Sequence, residues 1–148
     1  MGLEFGYPRL MKNANREQRG RLKLLRAVQE GDAVECKRLA KRYQIRLDEW
    51  GEPLRIACEH GLKAVVRVLL DRGASIDQAN NNGTTPLFIA CAKGHEAVVR
   101  VLCEHGADTN AESASRCTAL DVVKHDDAAT RAAILQYGGR VGSRAIER

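Results

Sequence analysis

Two Cys-Glu-His-Gly tetrads, Cys58–Gly61 and Cys103–Gly106, hold the side chains of this sequence best suited to chemistry. Thiolate and imidazole are both zinc ligands, and a thiol beside an imidazole can be a nucleophile. Spacing argues against both uses. Cys58 falls at the end of one helical pattern and Cys103 inside another, 45 residues on, so the tetrads occupy inequivalent positions and need not converge. There is no Gly-rich phosphate loop ending in Lys-Ser/Thr, no paired metal-ligand helix and no serine elbow. The chain is therefore expected not to be an enzyme, with no catalytic residue, no metal and no cofactor.

The five cysteines, Cys36, Cys58, Cys91, Cys103 and Cys117, are odd in number and scattered through apolar helical patterns, which reads as reduced, buried thiols. No apolar run approaches the roughly 18 residues needed to cross a bilayer, and the first ten residues lack a secretory apolar core. A cytoplasmic or nuclear location is expected. The net charge of +5 is local: residues 1–48 hold 12 basic and 6 acidic side chains. Lys37, Arg38, Lys41 and Arg42 form a stripe, with Arg16, Arg19, Lys23 and Arg26 upstream at helical spacing. The stripe is either the solvated outer face of a terminal unit or an anion-binding strip for nucleic acid or an anionic surface.

The elements that must carry these residues follow from composition and period. At 148 residues, with 44% hydrophobic and 29% charged, the chain is one globular domain. Aromatics are only 4%, so the core must be close-packed Ala, Val, Leu and Ile, which favours layered helices. Leu54, Leu87 and Leu120 recur every 33 residues, as do Gly73, Gly106 and Gly139; KAVVRVLLDRGA and EAVVRVLCEHGA superimpose without a gap. In the central unit Thr85 is placed to cap a helix that opens with Pro86 and runs to Lys93. Gly94 supplies the left-handed turn, and a second helix follows up to Gly106. Asn80-Asn81-Asn82-Gly83 predicts a projecting hairpin-like loop. Helices this short cannot bury their apolar faces alone, so successive pairs must stack.

GTTPLFIACAKGHEAVVRVLCEHGAD resembles the ankyrin repeat, whose pattern is G-x-T-P-L-H-x-A-A-x-x-G-H, a V-V-x-L-L helix and G-A-D. The likeness is strongest over 81–113, holds over 50–80 with Trp50 at the tip Gly position, and is loose from Ser113 to Gly139. It implies an all-α ankyrin-repeat solenoid of helix-turn-helix units joined by projecting hairpin loops. The expected division is a mobile basic segment 1–20, a repeat domain 21–140 and a tail 141–148. The domain comprises an N-cap half-repeat 21–47, repeats 48–80 and 81–113, and a degenerate closing repeat 114–140, with a shifted or frayed turn near Asp126.

The resemblance also implies a scaffold, adaptor or inhibitor that binds a protein partner on its concave face, monomeric by itself, with nucleic acid the lesser reading and no membrane. Contacts would come from the loop tips Asp48, Glu49, Gly51, Asn81, Asn82, Thr84, Ala114, Ser115 and Cys117. Helix ends would add Glu59, His60, Ala92, Lys93, His125 and Asp126, with Arg72 and His105 near the second helices' ends. Trp50 reads equally as a cover over the first unit or as an exposed anchor. Asn110 stands where the family's hairpin asparagine can be hydroxylated. The alternative anion-binding set is Lys37, Arg38, Lys41 and Arg42.

Overall fold

A computed structural model describes residues 14–143, and expectations for 1–13 and 144–148 lie outside them. Eight helices and no strands are present among the described residues, in four successive pairs. They are α1 (Arg16–Glu30), α2 (Ala33–Tyr43), α3 (Glu52–Glu59), α4 (Lys63–Asp71), α5 (Pro86–Lys93), α6 (Glu96–Glu104), α7 (Ala119–Val122) and α8 (Ala128–Gln136). Odd-numbered helices stack in one layer, α1 on α3 on α5 on α7, and even-numbered ones in a second. Each helix also packs against its own pair partner. This is the expected solenoid.

The 33-residue period explains the stacking. Leu54, Leu87 and Leu120 are buried at matching points of α3, α5 and α7, with Leu24 of α1 in the same row. Leu39, Leu69, Leu102 and Ile134 form the corresponding row of the second layer. Each such side chain contributes about 1.5–3 kcal/mol on leaving water. Val65 and Val66 in α4, and Val98, Val99 and Val101 in α6, are likewise buried. β-Branched residues weaken an isolated helix, so their burial between flanking pairs is what holds these two helices.

Local chemistry sets the ends. Thr85 Oγ1 accepts from the Phe88 N–H at 3.3 Å, Pro86 opens α5, and Gly94 closes it at φ +73°. Asn80 Oδ1 accepts from the N–H groups of Asn82 and Thr84 at 2.9 and 3.1 Å, folding the expected loop back on itself.

Three boundaries differ from the sequence reading. First, α1 starts at Arg16, inside the segment expected to be mobile. Asn15 accepts from the Gln18 N–H and Gln18 accepts from the Asn15 N–H, a capping box that apolar periodicity does not reveal. Second, residues 141–143 do not hang free: Gly142 N–H donates to Asp121 Oδ2 at 2.6 Å and Ser143 N–H to Glu112 Oε1 at 2.6 Å.

Third, the closing unit is short. α7 ends at Val122, Val123 is extended, and His125 and Asp126 lie in a turn instead of on a helix. No glycine stands after α7 to reverse the chain, and Asp127 begins α8 by accepting from the Thr130 N–H at 3.0 Å. The second half of this unit therefore runs one residue ahead of the period. Gly138, with φ +84°, takes the role expected of Gly139, while Ile134 is buried and Leu135 is 53% exposed.

Candidate functional site

The expected contact residues fall into three sets on this scaffold. The odd-numbered helices, termed the inner layer, run away from the hairpins and the even-numbered ones, the outer layer, run back, so opposite ends of each pair carry different side chains.

At the hairpin end, Asn81, Asn82, Ala114 and Ser115 are exposed on loops whose backbones are tied together. Ala114 N–H donates to the Asn82 carbonyl at 2.9 Å, and Ser113 N–H to the Cys117 carbonyl at 2.9 Å. Thr84 and Cys117 are half-buried. Asp48 and Glu49 are exposed, but Arg46 grips them both, at 2.9 Å from Asp48 Oδ2 and 3.0 Å from Glu49 Oε1. The Arg46 hydrogen bonds hold the Asp48 carboxyl below the usual carboxylate range. Arg46 was missed in the sequence, although its place two and three residues before the acids was a visible signal.

Gly51 is buried: the Gln78 side chain, from the other end of the same repeat, fills the space where a Cβ would stand, so Gly51 offers packing and no contact surface. Trp50 is half-buried against the core, with the Arg21 guanidinium 5.1 Å from its ring centroid. Of the two readings of Trp50, the covering one describes this position. Its signal was the Gly-to-Trp change at the tip, and its partner Arg21 was not anticipated.

At the far end of the inner layer, His60 and Lys93 are exposed and Ala92 is half-buried. Lys93 Nζ lies 3.9 Å from Glu59 Oε1 across the unit boundary. Beside it His95 Nε2 lies 2.8 Å from the Glu59 carbonyl oxygen, locking the end of α3 to the start of α6. His125 and Asp126 extend this end of the array from the turn after α7. Arg72 and His105 form the third set. They close the outer helices α4 and α6 at the hairpin end, apart from the ends of α3 and α5. His105 Nδ1 lies 2.7 Å from the Val101 carbonyl oxygen, so its ring serves its own helix end.

Asn110 is fully engaged. Its Nδ2 donates to the Gly138 carbonyl at 3.1 Å and its Oδ1 accepts from Arg140 N–H at 2.8 Å, joining the third hairpin to the end of the closing repeat.

The two Cys-Glu-His-Gly tetrads stay apart in α3 and α6. Among the described residues no three His, Cys, Asp or Glu side chains are grouped to hold a metal. Cys36, Cys58, Cys91 and Cys103 are buried and reduced. Burial pushes the thiols of Cys36 and Cys58 up to about 12 and that of Cys103 up to about 11. Such thiols fill core space and are poor nucleophiles at neutral pH.

The side chains of the basic stripe have different surroundings. Arg38 is held by Glu35 through two bonds of 2.7 Å, Lys37 and Lys41 are exposed, and Arg42 turns toward Tyr43, 5.7 Å from its ring centroid. Among the described residues no helix is long and apolar enough to cross a membrane.

The sequence matches the family model described as ankyrin repeats, three copies, over residues 24–113. A search of curated proteins returns no match.

Proposed function

The chain belongs to the ankyrin-repeat family, whose repeats are protein–protein interaction modules, and on that premise we propose that it captures a partner protein between its hairpin tips and the exposed ends of its inner helices. It works there as a non-catalytic adaptor or inhibitor. The observation that carries this reading is pre-organisation: Asn81, Asn82, Ala114 and Ser115 project from loops already fixed by the Asn80 turn and the Ala114 bond to Asn82. A surface ordered before binding loses little entropy when a partner arrives. Charge is mixed along it. The Arg46 cluster offsets the acidic edge, and Glu59 faces Lys93, so an extended or loop-shaped partner with both polar and charged groups fits better than a polyanion.

Trp50 and Gly51 are left out of the contact set because Gly51 is buried and Trp50 packs half-buried against the core beneath Arg21. The test replaces His60→Ala, Asn82→Ala and Lys93→Glu together in a tagged chain used to capture proteins from its native source. Quantitative mass spectrometry should show a specific set lost from the variant, with the helical circular dichroism unchanged. Recovery of the same proteins by both forms would remove this face from consideration.

A further inference from the structure

The first helix pair carries a cleft that the hairpin groove does not use. Arg16, Arg19, Arg42, Tyr43, Ala14 and Asn15 line a space of about 510 Å³ between the start of α1 and the end of α2. Tyr43 is its fixed wall. Its side chain lies where a Cβ on Gly20 would be, so α1 and α2 approach closely only because residue 20 has none. Lys23 and Arg42 stand 5.6 and 5.7 Å from the Tyr43 ring centroid. Lys23 Nζ donates to Tyr43 Oη at 3.1 Å, and that bond, helped by the charges of Lys23, Arg42 and Arg16, draws the phenol below its ordinary range. Arg19 Nε donates to the Ala14 carbonyl at 2.9 Å, which fixes its guanidinium at the rim.

The neighbouring carboxylates are spoken for. Glu17 pairs with Arg21 at 2.8 Å, Glu30 with Arg26 at 2.9 Å and Glu35 with Arg38 at 2.7 Å. Arg16, Arg19 and Arg42 line this cleft and, with Lys23 on the far side of Tyr43, have no ion pair among the described residues; Glu35, already held by Arg38, is the carboxylate that feels the charges of Lys23 and Arg42. The positive end of the α1 dipole adds to that field. Guanidinium forks suit carboxylate and phosphate oxygens, and a bound anion would relieve the mutual repulsion of the three arginines.

A second cleft of about 270 Å³ shares Arg42 and lies along α1 and α2, with Ala27 and Leu39 on its buried side and Glu30 and Glu35 among its walls. This composition separates the possible occupants. A nucleic-acid backbone carries a charge at every step and would meet Glu30 and Glu35; an anionic membrane needs a flat or convex basic face, not a recess. The chain's own residues 1–13 hold Arg9 and Lys12 against Glu4, the same sign as the cleft. We infer that the α1–α2 trough seats an acidic peptide segment of a partner protein, with carboxylate side chains between Arg16, Arg19 and Arg42 and an apolar residue beside Ala27 and Leu39.

Fluorescence polarisation of the full chain with a labelled peptide, a run of glutamates followed by leucine, tests this. Binding should saturate and weaken as salt rises, and a glutamine-for-glutamate peptide should bind at least about tenfold more weakly, since charge-assisted bonds are lost. Arg16→Gln with Arg42→Gln should weaken the glutamate peptide about tenfold or more, whereas Lys37→Gln with Lys41→Gln, an equal loss of charge outside the cleft, should change it by less than about twofold. Should the first pair disturb the circular dichroism, Arg16→Gln alone, at an exposed helix start, gives the same comparison. His60→Ala, Asn82→Ala and Lys93→Glu should leave this binding intact, so the trough and the hairpin groove are judged separately. Equal loss in both charge pairs, or tighter binding of a single-stranded RNA oligonucleotide that displaces the peptide, would overturn the assignment.

Discussion

Single residues hold this array together where units meet, and Gly61 shows how. Its φ of +68° is in the left-handed region, and a Cβ there would run into the His95 ring of the next unit. Gly61→Ala should therefore destabilise the fold by about 1–2 kcal/mol from backbone strain alone, with a further loss from displacing His95. Adding His95→Ala should recover the second part and not the first, a separation that urea denaturation of the three variants would reveal. Buried thiols make the fold sensitive to alkaline pH. A thiol whose folded pKa is raised favours the fold fully below its unfolded value of about 8.5, and that contribution is lost as pH climbs through the folded value. For Cys103 that upper value is about 11, and for Cys36 and Cys58 about 12. Thermal midpoints should fall above about pH 9, and Cys58→Ala should flatten the decline; an unchanged slope would show that other groups set it. At this scale the sequence was legible where one residue has one local job, as with Thr85 and Gly94. It was not legible where two distant residues share one, as with Arg21 over Trp50 or Gln78 over Gly51, because nothing in linear spacing pairs them.

Elements were readable in proportion to how fully the period repeats. The limits of α5 could be read directly because cap, proline and terminal glycine are all present. The closing unit lacks that glycine, so α7 stops after four residues and α8 slips one place relative to the period. Apolar pattern alone left Ile134 and Leu135 equivalent, and only the position of Asp127 as the cap of α8 decides which is buried. The tail then matters more than its composition implies. Asp121 Oδ2 accepts from both Thr118 N–H, at 2.8 Å, and Gly142 N–H, so the short helix is capped at its start by a side chain that also binds the tail. Gly142 lies against the Arg116 carbonyl, where a Cβ has no room. Gly142→Ala should detach residues 140–143 and destabilise the closing unit by about 1–3 kcal/mol through lost bonds to Asp121 and Glu112. Faster amide exchange at Ala119–Val122, with α4 unaffected, would report it; an unchanged rate would show that the tail is ornamental.

Across the array, stability is passed from neighbour to neighbour, since among the described residues the main helix packing runs between successive helices of a layer and within each pair. Such a solenoid opens from its weaker end. Here the two ends differ. Both first helices carry a capping box, but α1 has 15 residues, while α7 has four and leans on the tail. Amide exchange should therefore show α7 and α8 opening at lower free energy than α4 and α6; uniform protection would contradict this. The consequence reaches binding because the two surfaces draw on different parts of the stack. Contacts at Asn82 and Ser115 need the second and third hairpins held in register by Ala114, and so depend on the end that opens first. The trough around Arg16, Arg19 and Arg42 needs only α1 and α2. In a urea series, capture through the hairpin groove should fail before polarisation of the glutamate peptide does. Loss of both at one concentration would mean that the four pairs unfold as a unit and that the difference in helix length carries no weight.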